Sequence, residues 1–217
     1  DFQILKFSDS QIFRFKIMII GFDGKRIVRN NTGLGNYCRT LINDMIRCND
    51  KDKKLLIYCP DKGRDELRKQ IIESENSDFV YPNKKRGKIY KGLWRTKKIV
   101  KQLLDDNVDI YHGLSGELPL GLKDSGIKGI VTIHDLIFLR HPEYYHWFDR
   151  KIYTWKFHQT LKQADHIIAI SECTKRDILE FGDFNPEKIS VIYQSCNPRF
   201  AEIPSREDIC NTIEKYK

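Results

Sequence analysis

Ile17-Met18-Ile19-Ile20, near the start of the chain, and Ile167-Ile168-Ala169-Ile170, far downstream, are apolar runs with no alternating polar residue. A strand with one wet face alternates, whereas a strand covered by helices on both faces reads as an unbroken apolar run. These runs belong to two strand candidates, Ile17 to Phe22 and His166 to Ser171. Five more follow the same pattern: Leu55 to Cys59, Asp78 to Tyr81, Asp109 to His112, Gly129 to His134 and Ser190 to Tyr193. Helix-like stretches separate most of them. Strand, helix, strand repetition with right-handed crossovers predicts an α/β chain, a doubly wound, mostly parallel sheet of about seven strands, Rossmann-like in character. Ligands of such a sheet lie beyond the carboxyl ends of the strands, so the residues following each strand are the functional candidates.

Composition sets the outer limits. The 217 residues, 40% hydrophobic with 12 Phe and 10 Tyr, suffice for one globular domain with a packed interior and argue against disorder. Lys and Arg outnumber Asp and Glu by 38 to 30, a formal charge of +8 that attracts phosphates, nucleic acid or an anionic membrane face. The basic residues are not interleaved with stacking aromatics, so no nucleic-acid partner is expected. The six cysteines, at positions 38, 48, 59, 173, 196 and 210, include no Cys-x-x-Cys pair and no histidine at zinc spacing. Reduced thiols in a cytoplasm and no metal site are the expectation.

Residues 1–15 read as a leader of uncertain origin, since Lys6, Asp9 and Arg14 interrupt what a signal peptide would keep apolar. No run is long enough to cross a membrane, which leaves a cytoplasmic protein with peripheral contact to the inner membrane as an open expectation. The Rossmann-like domain is expected over 16–200. The remainder, 201–217, with Ile203-Pro204-Ser205 and a charged end, reads as a linker. Asn49 to Lys54 and Asn83 to Lys88 read as solvated, charged loops.

Several strand ends carry chemistry. After the first strand come Asp23-Gly24-Lys25-Arg26 and then Thr32-Gly33-Leu34-Gly35-Asn36, which opens a helical pattern through Tyr37, Leu41, Ile42 and Met45. Glycines admit a ligand close to backbone N–H groups, and a helix start favours an anion such as a diphosphate. The alternative for Gly33 and Gly35 is simply a tight helix start, and the third glycine of the dinucleotide fingerprint is missing, with Cys38 in its place. The fifth strand ends in Thr132-Ile133-His134-Asp135, where His134 can donate to a sugar hydroxyl or carry a proton, or else brace a loop. Asp135 reads as a loop brace. His112, ahead of Gly113-Leu114-Ser115-Gly116, is a candidate for acceptor recognition or a plain turn. Ser171 is a cleft candidate and equally an N-cap for the helix that follows. Phe148, Ile152 and Trp155 fall at helical spacing, a stripe that normally packs into a core, with a membrane-facing patch beside Arg150 and Lys151 as the other reading.

The succession Thr32-Gly33-Leu34-Gly35-Asn36-Tyr37, Thr132-Ile133-His134-Asp135-Leu136, Ala164 to Lys175 and Pro186 to Tyr193 resembles the family 4 glycosyltransferases, from about residue 17 to 200. The wording from Gly129 onward is similar to bacterial mannosyltransferase-type members. The resemblance implies the GT-B architecture: two Rossmann-like domains across a cleft, with the acceptor held mainly by the first and the nucleotide sugar mainly by the second. This chain resembles the first, amino-terminal domain. Nothing after Phe200 matches the donor-binding residues of the second, so the implied enzyme is a retaining hexosyltransferase whose other half is absent and which is inactive as this piece. By the same resemblance His134 is the histidine that reaches the transferred sugar. Gly33 and Gly35 approach the donor phosphates, and no metal or other cofactor takes part. The implied partners are a nucleotide sugar, a glycan or lipid-linked acceptor in polysaccharide biosynthesis, and the chain's own carboxyl-terminal domain.

Two rival readings share the sheet. A nicotinamide-dependent oxidoreductase would use Asp61, after the second strand, for ribose. A non-catalytic sugar- or nucleotide-binding module, or a membrane adaptor, would use the basic loop Lys84-Lys85-Arg86-Gly87-Lys88.

Overall fold

The computed structural model describes residues 17–48, 51–82, 92–196, 200 and 202–216. Seven strands form one sheet: β1 (Met18–Asp23), β2 (Lys53–Tyr58), β3 (Ser77–Val80), β4 (Ile110–Gly113), β5 (Lys128–Ile133), β6 (His166–Ala169) and β7 (Ile189–Val191). Their order is β3-β2-β1-β4-β5-β6-β7, and every neighbouring pair is parallel. Each expected strand is present, with its ends moved by a residue or two. The chain winds outward from β1 to β3 and then returns to the other side of β1 for β4, so the topological switch point lies between β1 and β4.

The unbroken apolar runs follow from two buried faces. On β2, Leu55 and Ile57 join Ile20, Phe22, Ile27, Cys38 and Ile42 in one core. The intervening Leu56 and Tyr58 join Tyr111, Val131, Ile133, Leu103, Phe157, Leu161 and Ile178 in the other. Helices α1 (Lys25–Arg29) and α2 (Gly33–Arg47) cover the first face. The second is covered by α4 (Ile99–Asp105), α6 (Trp147–Gln163) and α7 (Glu172–Phe181). Short helices α3 (Asp65–Arg68) and α5 (Ile137–Arg140) complete the loops after β2 and β5. Gly21 is where two tyrosines meet the sheet: a Cβ there would stand 3.0 Å from the Tyr58 ring and 3.2 Å from that of Tyr111.

The aromatic stripe departs from expectation. Of the stripe Phe148, Ile152 and Trp155 only Ile152 is partly buried; Phe148 and Trp155 are 59% and 51% exposed, as is Trp147 at 59%, so the core-packing reading fails for the rings. The inward face of α6 is instead built from Phe157, Thr160 and Leu161. The segment read as a linker contains a helix, α8 (Arg206–Tyr216), whose start is capped by Ser205, with the Asp208 N–H donating to Ser205 Oγ at 3.1 Å. The leader 1–15 and the loop Asn83 to Lys88, with its basic run Lys84 to Lys88, lie outside the described residues, as do Asn49 and Asp50. No described helix is long and apolar enough to cross a membrane.

Candidate functional site

The residues that follow β1, β4 and β5 surround a cleft of about 310 Å³ at the carboxyl edge of the sheet. Its lining includes Arg26 from α1, Leu34 from α2, and His134 with Asp135 after β5. The rings of Phe138, Tyr145, Tyr153 and Phe157 line it as well, and the loop after β4 contributes Ser115, Gly116 and Glu117.

His134 is held on both ring nitrogens. Nε2 lies 3.0 Å from the Leu114 carbonyl oxygen, which can only accept, so Nε2 carries the proton. Nδ1 lies 2.8 Å from Nε2 of Gln194, an amide nitrogen that can only donate. The ring is therefore the neutral tautomer whose one acceptor nitrogen is Nδ1. Burial lowers its pKa below the usual histidine value, the Leu114 carbonyl and Asp135 oppose that shift, and Arg26 adds to it. The donor nitrogen thus serves the fold, and what the cleft can use is an acceptor. The Tyr37 ring meets His134 edge-on at 4.8 Å. Behind that ring the Tyr37 hydroxyl lies 3.0 Å from Thr132 Oγ1, which lies 2.9 Å from His112 Nε2.

The other expected residues divide between cleft and scaffold. His112 is buried beneath the cleft against Phe22 and Thr132 rather than on its wall, and burial pushes its pKa down to about 4. Asp135 lines the cleft and its carboxylate accepts from the Ile137 N–H at 3.3 Å, which braces the start of α5. Ser171 caps α7, accepting from the Thr174 N–H at 3.1 Å; the Thr174 hydroxyl then donates to the His134 carbonyl at 2.9 Å. It therefore reaches the site only through that relay.

Gly33 and Gly35 also differ. Gly33 opens α2, is exposed, and has no atom within 4 Å of where a Cβ would stand. Gly35 is buried, and a Cβ there would lie 1.9 Å from the Asn30 carbonyl oxygen. Its N–H donates to the Asn30 side-chain oxygen at 3.1 Å, which also accepts from the Thr32 N–H at 2.8 Å. Buried Arg39 fixes the same loop, donating to the carbonyls of Ile27 at 3.0 Å and Asn30 at 2.8 Å.

Two charged residues of the cleft escaped the sequence reading, and a third, Arg26, entered it only as part of the segment after the first strand. The Arg26 side chain makes no hydrogen bond or ion pair with a described residue, and its place shortly after β1 is one the sheet rule marks. Lys156 and Glu117 form an ion pair at 2.9 Å, and Glu117 also pairs with Arg95, which binds Asp23 at 2.8 Å. Burial alone would raise the Glu117 pKa, but Arg95 and Lys156 outweigh it and hold the carboxyl below its usual value. This network lies across the switch point, and its longest single contact, Arg95 to Asp23, spans 72 residues, so no local pattern could announce it.

Asp61 forms an ion pair with Arg29, which occupies the carboxylate that a ribose would need. Among the described residues no group of three His, Cys, Asp or Glu could hold a metal ion.

Known structures share the fold. The chain matches the structure of Anabaena Alr3699/HepE in complex with UDP and glucose at 14% identity and a TM-score of 0.57, covering 92% of this chain and 50% of that one. It matches a glycosyltransferase from Rickettsia africae ESF-5 at 19% identity and a TM-score of 0.52, covering 93% of this chain and 49% of that one. The chain thus spans about half the length of these proteins, and at such identities the likeness establishes the Rossmann-like GT-B fold alone. No curated protein matches the sequence. The sequence pattern of Glycosyltransferase Family 4 matches residues 32–199, from the opening of α2 through His134 to the segment after β7, and the chain belongs to that family.

Proposed function

We propose that this chain is the acceptor-side, amino-terminal half of a retaining hexosyltransferase that moves a sugar from a nucleotide-sugar donor to a glycan or lipid-linked acceptor. The cleft at the switch point carries the reading. It offers the uncompensated guanidinium of Arg26 beside the glycine-led start of α2, where a diphosphate gains from a fixed cation and from the positive end of a helix. It also offers the rings of Phe138, Tyr145 and Tyr153, against which the apolar face of a sugar packs while its hydroxyls meet polar groups.

His134 lines the same cleft. Its neutral ring uses Nδ1 to accept a hydrogen bond from a hydroxyl of the transferred sugar once Gln194 withdraws. This differs from the donor role expected from sequence, because Leu114 already takes the N–H. The acceptor oxygen then bonds to the anomeric carbon on the face from which the diphosphate leaves, and its proton passes to the departing phosphate oxygen. By family resemblance the diphosphate charge is met by basic side chains of the second domain, and no metal enters the scheme.

The test is transfer of radiolabelled sugar from a panel of nucleotide sugars, run on the complete gene product and on this chain in parallel. UDP-glucose heads the panel, as the ligand of a HepE complex, with GDP-mannose next from the mannosyltransferase-like wording of the sequence. Transfer by the complete product alone is expected and would name the donor. Transfer by neither, or by this chain unaided, would contradict the proposal.

A further inference from the structure

Helix α6 is apolar on two faces. At about 100° per residue, Phe157 and Leu161 fall on the side that meets the sheet, while Trp147, Lys151, Trp155, His158 and Lys162 fall within one outward strip, flanked by Phe148. Tyr144, just before the helix, is 72% exposed, and Ile137 in α5 is 41% exposed. Single exposed apolar residues are ordinary, but a contiguous group of large rings marks a surface that meets something.

The chemistry around the rings selects the partner. Of the five Lys or Arg between Ile137 and Gln163, Arg140 is paired with Asp177 and Glu180 and Lys156 with Glu117, whereas Lys151 and Lys162 lie on the strip itself, which carries no Asp or Glu. The Lys151 ammonium sits 4.2 Å from the centre of the Trp147 ring. Tryptophan, tyrosine and phenylalanine interleaved with lysine make up a helix that lies in the headgroup region of a bilayer, rings at the boundary and cations toward anionic lipid. The same helix also reaches the cleft, but from another side: Tyr153, Lys156 and Phe157 line it, and none of the strip residues does.

We propose that the outward face of α6 docks on the surface of an anionic lipid bilayer with the helix axis in the membrane plane. The inference is independent of the reaction assigned above, since it rests on exposure and charge.

Two of the three tryptophans lie on the strip and the third, Trp94, is buried, so fluorescence reports the contact directly. The 217-residue chain is mixed with vesicles of phosphatidylglycerol and phosphatidylcholine in equal parts, or of phosphatidylcholine alone. Co-sedimentation with the anionic vesicles, a blue-shifted emission and quenching by brominated acyl chains are expected. The triple variant W147S/F148S/W155S should bind at least about tenfold more weakly with an unchanged melting temperature, and salt should weaken the wild-type binding. Failure to sediment, equal binding to both vesicle types, undiminished binding of the triple variant, or self-association burying the same tryptophans without lipid would each overturn the proposal. None of these readouts involves sugar transfer, so failure here would leave the glycosyltransferase reading intact.

Discussion

Helices α2 and α6 flank the same cleft and treat their apolar residues in opposite ways. In α2 the apolar side chains go inward, Cys38 and Ile42 into the core and Tyr37 against His134, and buried Arg39 locks the preceding loop. In α6 only part of the apolar set is inward, and Trp147, Phe148 and Trp155 face away from the sheet. The difference shows that helical periodicity identifies a helix without stating which stripe meets the core. A helix with one apolar face has one way to dock; a helix with two leaves a surface for a partner.

The sharpest way to break the comparison is within α6. Phe157→Ala should destabilise the protein by about 4 kcal/mol in urea denaturation, as expected for a large ring lost from a core, whereas Trp155→Ala should change stability by no more than about 0.5 kcal/mol. Equal losses would mean that the outward strip is packed after all.

On the α2 side, the hydroxyl relay from Tyr37 through Thr132 ends on His112, whose pKa burial pushes down to about 4. The folded state keeps this ring neutral while the unfolded state protonates it near the ordinary histidine value of 6.5. Its contribution to stability is therefore complete above pH 6.5 and is lost as pH falls toward 4, a change of about 3 kcal/mol. His112→Gln should flatten that part of the stability profile; an unchanged slope would show that His112 titrates normally.

A smaller effect separates the two glycines at the start of α2. Gly35→Ala drives a methyl into the Asn30 carbonyl and should cost about 2 kcal/mol, while Gly33→Ala enters open space and should gain about 0.5 kcal/mol from helix propensity. Thermal melts of the two variants should move in opposite directions.

The sheet was legible because seven short apolar runs each required cover on both faces, and only strand ends shifted, as where Tyr193 falls beyond β7. His134 was legible because a residue just past a strand must lie at the ligand edge. His112 was misjudged by the same rule: one residue before the end of β4, it is still inside a doubly covered sheet. Arg95, Glu117 and Lys156 were not legible, since a charged residue in a helix or loop reads as solvated until its distant partner is placed beside it.

The cleft's role is tested most directly by His134→Ala in the complete gene product, with the donor that the panel identifies. Sugar transfer should fall at least about a hundredfold in kcat in a variant that stays folded, with the modest drop in melting temperature expected when the Leu114 carbonyl loses its donor, since the ring acts on the transferred sugar. Transfer at the wild-type rate by the folded variant would contradict the placement of the reaction in this cleft.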